Sequence, residues 1–473
     1  MDMDATLAPE DHTQGDASIP IPTTGTSTPV DPHLQLLLVQ DTEKGVNPLG
    51  RAKRKAQVSG KKWFEPRVVS IGHYNCKDDA KHKRLQVKQE HKQEFYSILQ
   101  SRVKTSMEEL METIRRPVLE AADARSGHYS QKIKLNSSTI DPFLRMLVLD
   151  GCFILELFRV LGKSRKIESD HPLASVAWAI PQFYGDLLLL ENQIPFVVLK
   201  KLFETSKMPD EDYPLSLLAL RFFNKVMRRS DEDLIKMSEK LNDSLHLLDL
   251  VRGSFITRYL DQPPEEKKPV PVIYCITKLL KAGIKIKMSE AADNFLAVKF
   301  KNGVIEMPKI TVDYFMHSFV VNCRAFEQLD NKSSKHITVY AYFLDCLVNT
   351  AKDVEYLYEQ NIIDGYVGKN SEVVQFINKL GKEMDVETDQ FYLYNFFEKV
   401  NHRYNDKWKV RWTEFKHRPT TPSTLIIIPN NGLNISYSIR LLRACTACLI
   451  HEQLQRCPYG KLDHAQVVRR VLD

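Results

Sequence analysis

At 473 residues, with 43% hydrophobic and 27% charged, the chain has an ordinary globular composition and enough length for two or three average domains or one large core. A formal net charge of +6 is small for that length and excludes a dedicated nucleic-acid binder on charge balance. Eight cysteines, at 76, 152, 275, 323, 346, 445, 448 and 457, are too sparse for a disulfide-framed secreted domain and read as reduced thiols.

The N-terminus, Met1-Asp-Met-Asp-Ala5, lacks the basic and then apolar regions of a signal peptide. Cytosolic exposure is therefore expected, and the Asn-x-Ser sequons at Asn136, Asn242, Asn331 and Asn434 are expected to stay unglycosylated. Residues 1–45 hold eight acidic residues and a single Lys among Pro, Thr, Ser and Gly, which predicts disorder, with the apolar patch 34–39 as a candidate docking helix. Arg51, Lys53, Arg54, Lys55, Lys61 and Lys62 then form a basic cluster, read first as a solvated linker and otherwise as a nuclear signal or an anionic-lipid patch. Residues 1–62 form a tail of this kind, 63–417 the folded domain and 418–473 a divergent C-terminal tail.

From 83 to 116 apolar residues recur at three- and four-residue steps (Phe95, Leu99, Val103, Leu110, Ile114), which predicts a helix that Pro117 ends or kinks. Asp141-Pro142 supplies a start for the next, with Asp as cap and Pro in the first turn. In residues 146–161, 12 of 16 are apolar, interrupted by Asp150, Glu156 and Arg159, so this helix belongs inside protein and not across a bilayer. At about 100° per residue Arg145, Cys152, Glu156 and Arg159 share one polar edge, whereas Asp150 faces the apolar side. An ionised carboxylate there needs a partner elsewhere in the chain. Asp150 reads first as a structural tie and second as a functional acid.

In residues 186–203, Pro195 interrupts a helical pattern, and Asn192 and Gln193 are suited to satisfying the backbone groups it frees. This predicts a joint between two helices. Asp186 and Glu191 flank it, and with Asp150 they offer the competing possibility of an acidic cluster for acid–base or metal chemistry. Helices follow at 215–229, 231–260 and 272–281, with a polar loop at 261–269. Leu296, Val298 and Phe300 then alternate with polar residues up to Asn302-Gly303, and Ile305 and Met307 alternate beyond it, the pattern of an antiparallel hairpin. Helices are expected again at 311–328, 337–358, 371–384 and 391–415, the last carrying Trp408 and Trp412 at i,i+4 spacing.

Other motifs fail. Gly162-Lys163-Ser164 lacks the upstream glycine of a phosphate loop, and Cys445, Cys448, His451 and Cys457 fit no zinc module and equally fit the apolar side of a helix. No catalytic, cofactor-binding or metal-ligating residue is assigned.

The segments 148–158, VLDGCFILELF, and 186–203, DLLLLENQIPFVVLKKLF, resemble the two signature blocks of the plant DUF247 (UPF0481-like) family, a domain of unknown function. The likeness extends to 69–74, where relatives usually carry Pro in place of His73, and to 281–287, 300–310, 322–328, 337–354 and 401–412, covering about 66–417. The resemblance implies a plant protein of mostly helical fold, often held by a C-terminal membrane anchor and with no established enzymatic activity. Some grass relatives are implicated in pollen self-incompatibility, which points to recognition. The family's apolar C-terminal helix is replaced here by a region broken by Arg440, Arg443, His451, Glu452 and Arg456.

The expected protein is mainly α, one large multi-helix domain with a small antiparallel β-hairpin, its structural motif formed by Asp150, Glu156, Asp186, Glu191, Asn192, Gln193 and Pro195. The expected function is non-enzymatic interaction or signalling with a protein partner of unknown identity and no specific nucleic acid. The alternative is an unrecognised hydrolase or transferase using the acidic cluster. Localisation is expected on the cytoplasmic side, soluble or peripheral to a membrane. Each charge at the centre of a spanning helix costs about 2.5–3.5 kcal/mol, which the Leu and Ile residues of 433–454 do not offset. Tagged protein should therefore leave plant microsomes on high-salt or alkaline carbonate extraction, and retention in the pellet through both would show an integral anchor.

Overall fold

A computed structural model describes residues 63–72, 85, 87–123, 137–256, 260, 263, 269–289, 294–330, 332–365, 369–381 and 390–416. The tails 1–62 and 417–473, with their acidic segment, basic cluster and cysteine group, lie outside the described residues, as do His73 and Tyr74 and the side chains of Trp408 and Trp412. Contacts divide the chain into one unit ending at Arg411, which holds nearly all the described elements, and a second beginning at Trp412.

Fifteen α-helices and five short strands are present among the described residues. The expected helix 83–116 is two, α1 (Gln89–Val103) and α2 (Met107–Asp123). Lys104 turns the chain left-handed at φ 51°. Ser106 and Glu109 then exchange the two bonds of a capping box, Glu109 N–H to Ser106 Oγ at 3.2 Å and Ser106 N–H to Glu109 Oε2 at 2.9 Å. Pro117 does not end the helix but lies inside α2, between the fully buried Ile114 and Val118, so tertiary packing overrides the local penalty.

The central helix α3 (Ser137–Leu157) begins before Asp141 and continues into a π-helical turn, Phe158–Gly162. It packs against α1, α2 and α6 (Phe196–Thr205). Gly151 permits the last approach, because a Cβ there would lie 2.3 Å from Leu202 Cδ1. Between α3 and α6 come α4 (Pro172–Ser175), a 3₁₀ turn and α5 (Ile180–Asp186). The chain breaks before Pro195 as expected, but residues 187–194 are turns instead of helix.

The π turn rests on α7 (Leu215–Met227), which in turn packs on α8 (Asp231–Ser238) and α9 (Leu247–Phe255), two helices where the periodicity predicted one. After α10 (Ile276–Lys281) comes the expected hairpin: β2 (Lys299–Lys301) pairs antiparallel with β3 (Val304–Met307) through Asn302 and Gly303, both at positive φ. Unexpectedly, β1 (Lys285–Met288) pairs parallel to β3 on its other side, and β4 (Ile310–Thr311) pairs parallel with β5 (Ile363–Asp364).

The remaining helices are α11 (Tyr314–Leu329), α12 (His336–Leu347), α13 (Ala351–Glu359), α14 (Asn370–Gly381) and α15 (Tyr394–Lys416). The single helix expected over 337–358 is interrupted because Asp353 caps a new one: its carboxylate accepts from Thr350 N–H and Oγ1 at 2.9 Å, and from Thr277 N–H and Oγ1 at 2.8 and 2.7 Å. One continuous apolar core joins these elements. Asp353→Ala removes the buried acceptor that caps α13 and ties it to Thr277, and should lower stability by about 1–3 kcal/mol in urea unfolding, against less than about 0.5 kcal/mol for the exposed Glu355→Ala.

Candidate functional site

The signature residues converge on the entry of the chain. Pro66 introduces an irregular strap, bent at Arg67 and Val68, in which Val68, Val69, Ser70 and Ile71 are all at most 4% exposed. An irregular segment inside a helical core presents N–H and C=O groups that no helix or sheet ladder satisfies, and each left unpaired costs about 1–3 kcal/mol. The strap has a single isolated bridge, Val69 beside Val87, with Val87 N–H donating to Val68 C=O at 3.0 Å.

Side chains form a clasp that does the rest. Asp186, at the end of α5, accepts three successive N–H groups, from Arg67 (3.0 Å), Val68 (2.8 Å) and Val69 (3.0 Å). Asn192 Oδ1 accepts from Ile71 N–H at 2.7 Å, and its Nδ2 donates to the carbonyls of Val69 and Asp186 at 3.1 and 2.9 Å. Asp150, from the middle of α3, accepts Gly72 N–H at 2.7 Å on Oδ2, and Lys92 Nζ at 2.5 Å on Oδ1. Lys92 Nζ also donates to Ser70 C=O at 2.5 Å. Gly72 has φ +72°, and a Cβ there would stand 2.5 Å from Gln193 C=O, so only glycine fits the exit of the strap.

Gln193 ties the joint itself. Its Nε2 donates to the carbonyls of Leu187 and Leu189, both at 2.8 Å, and its Oε1 accepts from Leu248 N–H of α9 at 3.2 Å. Asn322 of α11 reaches the same place from the other side, accepting Leu190 N–H and donating to Trp63 C=O, each at 2.8 Å. Pro195 precedes α6, whose first residue donates to Leu245 C=O at 2.9 Å. Glu191 is buried in the same turn.

Glu156 belongs to a second buried network and not to the clasp. Arg102 bonds it at 2.6 Å and Arg159 at 3.3 Å, while Arg159 also holds Glu211 at 3.0 Å and donates to Ser206 C=O at 2.8 Å. Burial pushes the Glu156 carboxyl up, but His171, Arg102 and Arg159 outweigh it and hold it below the ordinary range. The polar edge expected on α3 thus faces inward for Cys152, Glu156 and Arg159, and outward for Arg145. Cys152 is an inert thiol, pushed up to about 12 by burial and then by Glu156.

Asp150 and Asp186 are thus turned toward the strap, in the core. Two surface grooves of about 390 and 380 Å³, one between α10 and α13 and one beside α6, contain none of them. Among the described residues no three His, Cys, Asp or Glu side chains are grouped as metal ligands, and no helix is long and apolar enough to cross a membrane. The partner of Asp150 is not marked by apolar periodicity alone. Its signal is the position of Lys92, three and seven residues before Phe95 and Leu99 on the buried face of α1.

Residues 51–428 match the family described as DUF247, plant protein of unknown function. UPF0481 protein At3g47200 of Arabidopsis thaliana is 32% identical over 380 residues, covering 75% of this chain and 77% of the relative. Putative UPF0481 protein At3g02645 of the same plant is 25% identical over 155 residues, covering 32% and 28% respectively. No solved structure matches the chain.

The clasp generates two expectations. Asp150→Ala leaves the Lys92 ammonium buried without its counter-ion and should destabilise by about 3–5 kcal/mol, whereas the paired change Asp150→Leu with Lys92→Met should recover part of that loss in urea unfolding. Burial raises Asp186 from 3.8 to about 6 against the pull of the Val68, Arg67 and Val69 N–H groups. On acidification the folded chain thus takes up this proton before the unfolded one, so its contribution is present below pH 3.8 and is lost as pH rises through 6. Relative to Asp186→Asn, wild-type stability should rise by about 2 kcal/mol from pH 7.5 to pH 4; a flat difference would mean that Asp186 titrates normally.

Proposed function

The chain belongs to the DUF247 family of plant proteins, and from that premise we propose that it is a non-enzymatic interaction or signalling protein, a helical platform that presents surfaces to other macromolecules and performs no reaction. The observation that carries this reading is the use made of the signature polar residues. Asp150, Asp186, Asn192 and Gln193 have their donors and acceptors engaged by the chain's own backbone and by Lys92, deep in the core. A catalytic carboxylate needs a face open to substrate, within about 3 Å of the reacting atom. These oxygens are instead aimed at the strap, and the signature blocks serve to seat it.

On this reading the alternative hydrolase or transferase would have to open its own core to work. The same proposal has it work on the cytoplasmic side, free or peripheral to a membrane, which the lack of a spanning helix among the described residues supports.

Tagged protein isolated from pollen and leaf should carry a protein partner in fixed stoichiometry, and the purified pair should reassemble from its components with saturable binding. Wild-type protein should show no turnover against ester, phosphoester and glycoside panels. A hydrolytic activity that disappears in Glu191→Gln, with far-ultraviolet dichroism and melting temperature unchanged, would overturn the proposal in favour of the acidic-cluster enzyme.

A further inference from the structure

The three-stranded sheet has two unlike faces. Ile286, Ile305 and Phe300 form a cross-strand row toward the core, where Phe300 meets the ring of Phe396 at 6.5 Å. The opposite face carries two rows: Lys285, Val304 and Lys301, and then Lys287, Glu306 and Lys299. All four lysines are exposed. Strand geometry sets them about 6.8 Å apart along each edge strand and about 9.6 Å apart across the sheet.

Among the described residues none of these four lysines is in an ion pair, whereas Lys309 just beyond β3 bonds Asp364 at 2.7 Å. Lysines on edge strands deter unwanted strand pairing. Four lysines around one carboxylate on a rigid face also make an anion platform.

The same chain supplies a complement. Residues 1–43 contain eight carboxylates and no Lys or Arg. Two of the acidic pairs, Asp2 with Asp4 and Asp41 with Glu43, have i,i+2 spacing, which in an extended chain is the same repeat of about 6.8 Å as the lysine pairs. The reach is sufficient. Trp63 stacks on His317 at 3.6 Å, ten residues from the end of β3 and so at most about 35 Å of chain away, whereas the twenty residues from Glu43 to Trp63 span up to about 65 Å. A tethered segment of this kind acts at a local concentration in the millimolar range, which lets weak ion pairs compete with free ligands.

We propose that the lysine face of the β1–β3–β2 sheet is the docking surface for the chain's own acidic segment, residues 2–43, which shields it from external polyanions. The test compares the full chain with a full-length variant in which the eight acids of residues 2–43 are changed to Asn and Gln. Acetylation rates of individual lysines are read by mass spectrometry at low salt.

In wild type, Lys285, Lys287, Lys299 and Lys301 should react roughly fivefold more slowly than in the variant, while the exposed Lys236 of α8 reacts equally in both. The protection should vanish in 0.5 M salt and be independent of protein concentration. Zero-length carbodiimide coupling of the wild type should join residues 2–43 to 285–301 within one chain. Equal lysine rates, or protection that survives in the variant, would overturn the assignment, the second outcome pointing to another occupant. Protection that grows with protein concentration would identify that occupant as a second copy and would equally overturn it.

Discussion

The structure depends on the solution of one problem, the burial of an irregular strap that belongs to neither helix nor sheet. A helix pairs its own backbone and a sheet pairs its strands, but residues 66–72 do neither beyond one bridge. The chain bends around the Asp186 carboxylate, so that three consecutive N–H groups converge on it, and Asn192 and Asp150 accept the N–H groups of Ile71 and Gly72 beyond. The arrangement places two carboxylates in the core, where each is costly unless fully bonded. Asp150 meets that condition with a buried lysine. Asp186 meets it with the backbone alone, and burial correspondingly lifts its carboxyl to about 6.

The same economy of buried charge recurs outside the clasp. Arg159 lies between Glu156 and Glu211, and Arg252 bonds Glu327, which also accepts Ile337 N–H and Thr338 N–H at 3.1 and 2.8 Å. Arg229 joins Asp233 to the hydroxyl and carbonyl of Ser254. Each pair ties elements far apart in sequence or closes a helix end. Buried ionic groups of this type are weak sources of net stability and act mainly through the high cost of removing one partner, which fixes how helices meet.

Local chemistry, or a burial argument made within one helix, makes several of these features legible in the sequence: the family blocks, the hairpin at Asn302-Gly303, the break before Pro195 and the demand of Asp150 for a partner. The breaks at Lys104 and Thr350 are not legible from periodicity, and their local signal is the capping pattern of Ser106 with Glu109 and of Thr350 with Asp353. Apolar periodicity runs through both, and the interruption depends on caps that the pattern does not weigh. Pro117 misleads in the opposite direction, since packing by Ile114 and Val118 keeps a helix that propensity would end. The parallel partner β1 and the ammonium of Lys92 are hidden for a shared reason: both are defined by contacts with distant residues, and a single chain read in order carries no register between them.

The strap also sets an order of events during synthesis. Trp63 and Arg67 leave the ribosome early, yet Asp186 follows Arg67 by 119 residues and Asn322 follows Trp63 by 259. At about 5–20 residues per second, the strap waits from roughly 6 to 50 seconds for the groups that will bond it. Throughout that interval Val68, Val69 and Ile71 are a short β-branched stretch with open hydrogen-bonding edges, the type of segment that pairs with strangers. Nascent chains are thus most exposed to misassembly before α5 is made, and chaperone occupancy should concentrate on this stretch until the second signature block has emerged.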